Sequence, residues 1–279
     1  MQRIIVGFDG SRAAVAALRW AVTEAGYHEA KVEAWTMFGQ HAHLPHRGDD
    51  NETWVTRDRT ALAETVHDET GGRAVYHWMH GRAGDELVGL SADADLLVLG
   101  AQAHSAVTGV LLGSVNHVCL HGAHCPVAVV GAEQHLDWVE RPVVVGIDGT
   151  APARVALATA AEEARVRGAD LHVVHAVHWE LAGYGLLAPT DRDLLSWGRR
   201  LVNAELESAD LDIPVRSFVL AGRPADVLTT YSRRGSLLVV GSRTSGGLPA
   251  RFGSVAAHCA AVSGCPVLVT RAQEGSHVT

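Results

Sequence analysis

The sequence predicts a doubly wound α/β fold present twice, and three observations carry that expectation. Short apolar runs rich in Val, Ile and Leu, such as 4–8, 96–99 and 127–130, alternate with stretches of helical periodicity. Strands buried on both faces between covering helices read this way. Two of the runs end in a glycine, Gly100 and Gly241, and each leads through a small-residue loop to a Gly-Ser pair that opens a helix. The whole pattern then recurs along the chain.

The recurrence is specific. Gly7-Phe8-Asp9-Gly10-Ser11 returns as Gly146-Ile147-Asp148-Gly149-Thr150, and Gly81-Arg82 with Asp85 returns as Gly222-Arg223 with Asp226. Gly100 pairs with Gly241, Gly113-Ser114 with Gly253-Ser254, and Cys125-Pro126-Val127 with Cys265-Pro266-Val267. Landmarks in one order at a near-constant offset of about 140 residues mark a duplication. Two domains are expected, residues 1–132 and 142–279, with a linker over 133–141.

Each element has its own reason. The run 4–8 is β-branched and apolar, and Asp9-Gly10-Ser11 follows it with a serine suited to cap a helix. Val15, Leu18, Val22 and Ala25 then recur at helical spacing. A second strand is expected over 32–38 and an aperiodic loop over 39–50. A helix over 54–69 should stop at Gly71-Gly72. A strand over 75–80, a helix over 85–92, the strand 96–99, a helix over 114–121 and the strand 127–130 complete the half. The second half repeats this with strands over 143–147, 171–177, 215–220, 237–240 and 267–270. Its helices are expected over 150–167, 193–208, 225–231 and 254–262.

Composition narrows the function. The 279 residues carry a formal charge of −8, which opposes general nucleic-acid binding because that requires a basic surface. Four cysteines are too few for a secreted disulfide framework. The N-terminus enters a strand at once, and no window approaches the roughly 18 apolar residues of a membrane span. A cytoplasmic protein without nucleic-acid or membrane partners is expected.

A buried strand that feeds a glycine loop and a helix start puts backbone N–H groups where an anion can sit. The Gly-x-Asp-Gly-Ser/Thr strand end, the glycine-ended strand, the Gly-Ser helix start and the Cys-Pro-Val strand together resemble the universal stress protein family in its tandem form. The resemblance spans nearly the whole chain. It implies a five-stranded sheet in each half and ATP with a divalent cation such as Mg2+, bound through G-x2-G-x9-G-[S/T] after the fourth strand. Mapped onto this sequence, it places Asp9 beside the nucleoside and Met37 near the adenine. Leu99 and Gly100 fall at the strand end, with Gly113, Ser114 and Val115 at the phosphates. In the second half the matching residues are Asp148, Ala176, Val240, Gly241, Gly253, Ser254 and Val255. The family also implies dimers through the last strands, so 127–130 and 267–270 would pair within the chain as a pseudo-dimer, leaving a homodimer open. An unidentified protein partner would receive the signal.

Both halves depart from the motif. Ala103 stands where the second motif glycine belongs, and Thr244 takes that place in the second half with only eight residues before Gly253. At φ > 0 a Cβ costs about 1–2 kcal/mol, so Ala103 would weaken binding by roughly one decade at ~1.4 kcal/mol per tenfold. A β-branched threonine there is a worse fit, and Pro249 sends the shortened loop along another path. The first cradle is therefore expected to be the stronger. The second binds more weakly, takes another ligand or is empty, with Gly246-Gly247 restoring some freedom.

Rival chemistries fare less well. No G-x4-G-K-[ST] loop exists, and Ser245-Gly246-Gly247 lies after the wrong strand for an adenylating enzyme. His117, Cys119, His121, His124 and Cys125 crowd one segment, but only the cysteines recur, as Cys259 and Cys265, which favours packing over zinc. His41, His43 and His46 read as solvated loop residues. Asp9 and Asp148 could cap their turns, yet their place at the carboxyl edge of the sheet favours ligand contact. Ser114 and Ser254 could accept phosphate or cap helices. No paired base and nucleophile accompanies the aspartates, so an enzyme, at most one of slow hydrolysis or self-phosphorylation, is not indicated. The expectation is an ATP-binding regulator or sensor in a stress response, the alternative an interaction scaffold with vestigial cradles.

Overall fold

A computed structural model of the protein describes residues 1–39, 51–101, 112–132, 141–178, 191–242 and 253–271. The chain forms two compact units, Met1–Leu136 and Asp137–Thr279. Residues 40–50 of the expected 39–50 loop, most of the linker, Ala103, Thr244 and most of both glycine loops lie outside the described residues.

In the first unit the order is β1 (Arg3–Gly7), α1 (Arg12–His28), β2 (Lys31–Phe38), α2 (Asn51–Thr70), β3 (Ala74–His80), α3 (Ala83–Leu90), β4 (Leu96–Ala101), α4 (Ser114–Gly122) and β5 (Val127–Gly131). The strands pair in parallel as β3-β2-β1-β4-β5. The second unit runs β6 (Val143–Gly146), α5 (Ala151–Arg167), β7 (Leu171–Val177), α6 (Asp191–Ala209), β8 (Val215–Ala221), α7 (Pro224–Ser232), β9 (Leu237–Gly241), α8 (Ser254–Val262) and β10 (Val267–Thr270). Its order is β8-β7-β6-β9-β10, again parallel throughout. Each half is therefore a doubly wound sheet, and its strand order reverses between β1 and β4 or between β6 and β9.

The continuous apolar runs are the central strands. Ile4, Ile5, Leu97, Val98, Val143, Val144, Leu237 and Leu238 are fully buried, as strands covered on both faces must be. Differences from the sequence reading lie at element ends. α2 begins three residues early, and α3 spans Ala83–Leu90 followed by a 3-10 turn at Ser91–Asp93. β4 extends past its apolar run because Gly100 and Ala101 keep their ladder partners Val130 and Gly131. α7 begins at Pro224, whose missing N–H costs nothing in a first helical turn. Gly71 and Gly72 take positive φ (59° and 76°) and close α2 as expected.

The start of β1 is fastened to the turn before β4. Asp95 Oδ2 accepts the Gln2 and Arg3 N–H groups at 2.7 and 2.9 Å. These bonds, the Gln2 one foremost, hold its carboxyl below the usual aspartate range against the opposing effect of burial. A depressed carboxyl stabilises the fold above its unfolded pKa of about 3.9 and loses that contribution as pH falls through the folded value. Asp95→Asn should therefore flatten the decline in urea-unfolding stability below about pH 4, compared with the native chain.

Candidate nucleotide site

β1 ends at Gly7, and the chain turns through Asp9 and Gly10 (φ 76°) into α1. Asp9 Oδ1 accepts the Ser11 N–H at 2.9 Å, and Ser11 Oγ accepts the Ala14 N–H at 3.2 Å. The expected serine cap is present, and one oxygen of Asp9 is committed to the turn. In the second half Asp148 Oδ1 accepts both the N–H and the hydroxyl of Thr150, at 3.1 and 2.5 Å. Each aspartate thus caps its turn and also borders a cavity.

The first cavity, of ≈ 280 Å³, lies where the strand order reverses. Asp9, Met37, Leu99 and Gly100 line it together with Gly113, Ser114 and Val115 from the start of α4. The second, of ≈ 190 Å³, brings together Asp148, Ala176, Val240 and Gly241 with Gly253, Ser254 and Val255. The structure thus gathers every described residue of the sequence-derived set around one hollow in its own half. Ala103 lies outside the described residues.

The two glycines of the motif differ in cause. A Cβ on Gly100 would lie 2.5–2.7 Å from the backbone of Ala13 and Ala14, so α1 packs directly on β4 there. Gly241 meets Pro152 the same way, at 2.6 Å from its carbonyl oxygen. A Cβ on Gly113 would meet no described atom within 4 Å, and its φ of −55° suits any residue. Packing accounts for Gly100, and nothing in the described protein requires a glycine at 113.

Gly113 and Gly253 are the N-caps of α4 and α8. Ser114 and Ser254 are first helical residues, which corrects their reading as caps: the chain keeps the extended cap conformation one residue earlier. The first helical bond runs from the His117 N–H to the Gly113 carbonyl at 2.9 Å, leaving the N–H groups of residues 114–116 without intrahelical partners. They carry the positive end of the helix dipole at the cavity wall. Among the described lining residues each cavity has one carboxylate and no Lys or Arg.

Sequence reasoning missed several wall residues. Trp35 and Leu87 line the first cavity, as does Asn116, whose Nδ2 donates to the Gly100 carbonyl at 3.0 Å and so ties α4 to β4. Ala256 holds that place in the second cavity. The signal was a lone polar residue in the first turn of an otherwise apolar helix face, and one side chain has no period. The cysteines serve packing: Cys119, Cys125, Cys259 and Cys265 are all buried, and burial pushes the Cys259 thiol up to about 12.

The universal stress protein family model matches residues 1–131 and 140–271. The chain is 31% identical over 288 residues to universal stress protein Rv2005c of Mycobacterium tuberculosis, covering 96% of each. It is 30% identical over 284 residues to a universal stress protein of Mycolicibacterium smegmatis, again covering 96% of each. A universal stress protein structure from Archaeoglobus fulgidus superposes with a TM-score of 0.73 at 18% identity, over 96% of this chain and 98% of that one. A putative universal stress protein from Pseudomonas aeruginosa gives 0.63 at 15% identity, over 97% and 93%.

Proposed function

Because the chain belongs to the universal stress protein family in both halves, we propose that it binds ATP and acts as a nucleotide-dependent regulator in a stress response. One observation supports this reading above others. At each strand-order reversal an aspartate turn, a glycine-ended strand and a helix N-terminus border a single hollow. Ligands of open α/β sheets lie at such crevices.

The parts divide the work. The N–H groups at the start of α4, which have no intrahelical partners, suit the phosphates. Met37 and Leu99 offer an apolar bed for the base, and Asp9 borders the nucleoside. Without a cationic side chain among the described lining residues, the polyphosphate charge falls to the helix end and a metal ion. Mg2+ fits as the counter-ion of the phosphates, since that ion commonly takes one or two carboxylates plus substrate oxygens and keeps its waters. Asp9 would supply the carboxylate.

The first cavity is the stronger site in this reading. It is larger, ≈ 280 against ≈ 190 Å³, and its helix is tied to β4 by Asn116 where the second half has Ala256. No catalytic role is proposed, and among the described residues no helix is long and apolar enough to cross a membrane.

Calorimetric titration of the purified chain with ATP, with and without Mg2+, tests the proposal, together with nucleotide analysis after denaturation. The expected outcome is saturable binding, tighter with Mg2+. Absence of binding at millimolar ATP would leave an interaction scaffold as the better account.

A further inference from the structure

Trp35 lines the first cavity at a place where the second half has no aromatic residue. Its register partners are Gly7 on β1 and His77 on β3, so all three share one face of the sheet. On that face a Cβ at Gly7 would meet Leu99 and Leu87, which line the same hollow. The missing side chain at Gly7 therefore lets Leu87 and Leu99 close in at that point, and Trp35 lines the hollow together with them.

The ring is fixed on its other sides. His77 stacks on it with centroids 4.6 Å apart and planes at 21°. The indole N–H donates to Glu33 Oε2 at 2.9 Å. Glu33 is in turn held by a two-pronged contact from Arg3, whose Nε and Nη2 donate at 3.0 and 2.8 Å. That contact keeps the Glu33 carboxyl below its usual range, so it is an ionised acceptor at neutral pH. An aromatic wall whose orientation is set before a ligand arrives loses little freedom on binding.

Every member of this arrangement is replaced in the second half. By sheet register His172, Val174 and Phe218 stand where Glu33, Trp35 and His77 stand in the first, and counting back along the chain from β6 puts Pro142 in the place of Arg3. Val174 lines the second cavity but offers no flat surface, and His172 turns instead to Phe218 and to the Tyr231 hydroxyl at 3.3 Å.

We propose that Trp35 is a specificity-determining residue of the first cavity, a preset stacking surface for the aromatic base of a nucleotide, with Glu33 as its positioning residue. The proposal rests on the nucleotide reading above. It makes the two halves unequal toward the base while their helix ends treat the phosphate alike.

AMP titrated into the full chain is the test, read by calorimetry and by indole emission. Trp35→Val, which installs the residue of the second half, should weaken AMP binding at the first site roughly 10- to 100-fold, the range for loss of one base–aromatic stack. Trp35→Phe keeps a flat surface and should stay within about threefold of native, while the AMP-induced quenching expected of the native chain disappears. Glu33→Ala should weaken AMP roughly fivefold, and Glu33→Gln, whose amide oxygen still accepts the indole N–H, should restore it. Native-like affinity in Trp35→Val, or native-sized quenching in Trp35→Phe, overturns the role of Trp35. No restoration by Glu33→Gln overturns the positioning role of Glu33. If the native chain takes up ATP but no AMP at millimolar concentration, the stacking wall fails alone; if it takes up neither, the nucleotide reading fails and the stacking wall with it.

Discussion

Gly100→Ala is expected to lower the stability of the first half by about 3 kcal/mol, at the upper end of the range for overpacking. The added methyl would sit 2.5–2.7 Å from main-chain atoms of Ala13 and Ala14. Those atoms belong to the first turn of α1 and cannot rotate aside as a side-chain tip would. To admit the methyl, the helix must lift off β4, exposing part of the face that Ala13, Ala14 and Ala17 bury. A melting temperature lower by on the order of 10 °C should follow in thermal circular dichroism without nucleotide. Gly241→Ala should behave alike through Pro152. Gly113→Ala is the control, with a cost below about 1 kcal/mol from the poorer N-cap. Equal melting of the Gly100 and Gly113 variants would contradict the close approach of α1 to β4.

Gly113→Leu should have the opposite signature, a fold that melts almost normally and a first site that no longer takes nucleotide. A side chain here meets no described protein atom within 4 Å of its Cβ, so folding does not resist it. It projects from the helix start that borders the hollow, where the phosphates are proposed to lie. Steric intrusion worth about 3 kcal/mol corresponds to roughly a 100-fold loss of affinity. Gly253→Leu is the counterpart in the second half. If the first cavity is the stronger site, Gly113→Leu removes the tighter phase of an ATP titration and Gly253→Leu the weaker one. Unchanged ATP affinity in Gly113→Leu would place the ligand elsewhere.

These variants also separate what the two motif glycines mean. In the sequence Gly100 and Gly113 look equivalent, both belonging to one phosphate-binding pattern. Three-dimensional packing assigns Gly100 to the contact between a helix and a strand and leaves Gly113 with no described atom within 4 Å of where a Cβ would stand. The aspartates show a similar division. Asp9 and Asp148 read as either turn caps or ligand contacts, and in the structure each caps its turn with one oxygen and also borders its cavity.

The sequence by itself determined the duplication and the alternation of strand and helix, and its family resemblance marked many of the residues that line each hollow. Strand burial on both faces, helix period and turn chemistry are local, so they are written in neighbouring residues. It did not disclose Trp35 or Asn116. Arg3, Glu33, Trp35 and His77 are brought together by the register of three parallel strands, and a crossover connection leaves no periodic trace of which residues it sets side by side. Only the tertiary structure decided those contacts, because parallel pairing joins positions far apart in the chain through helices that carry none of the pairing information.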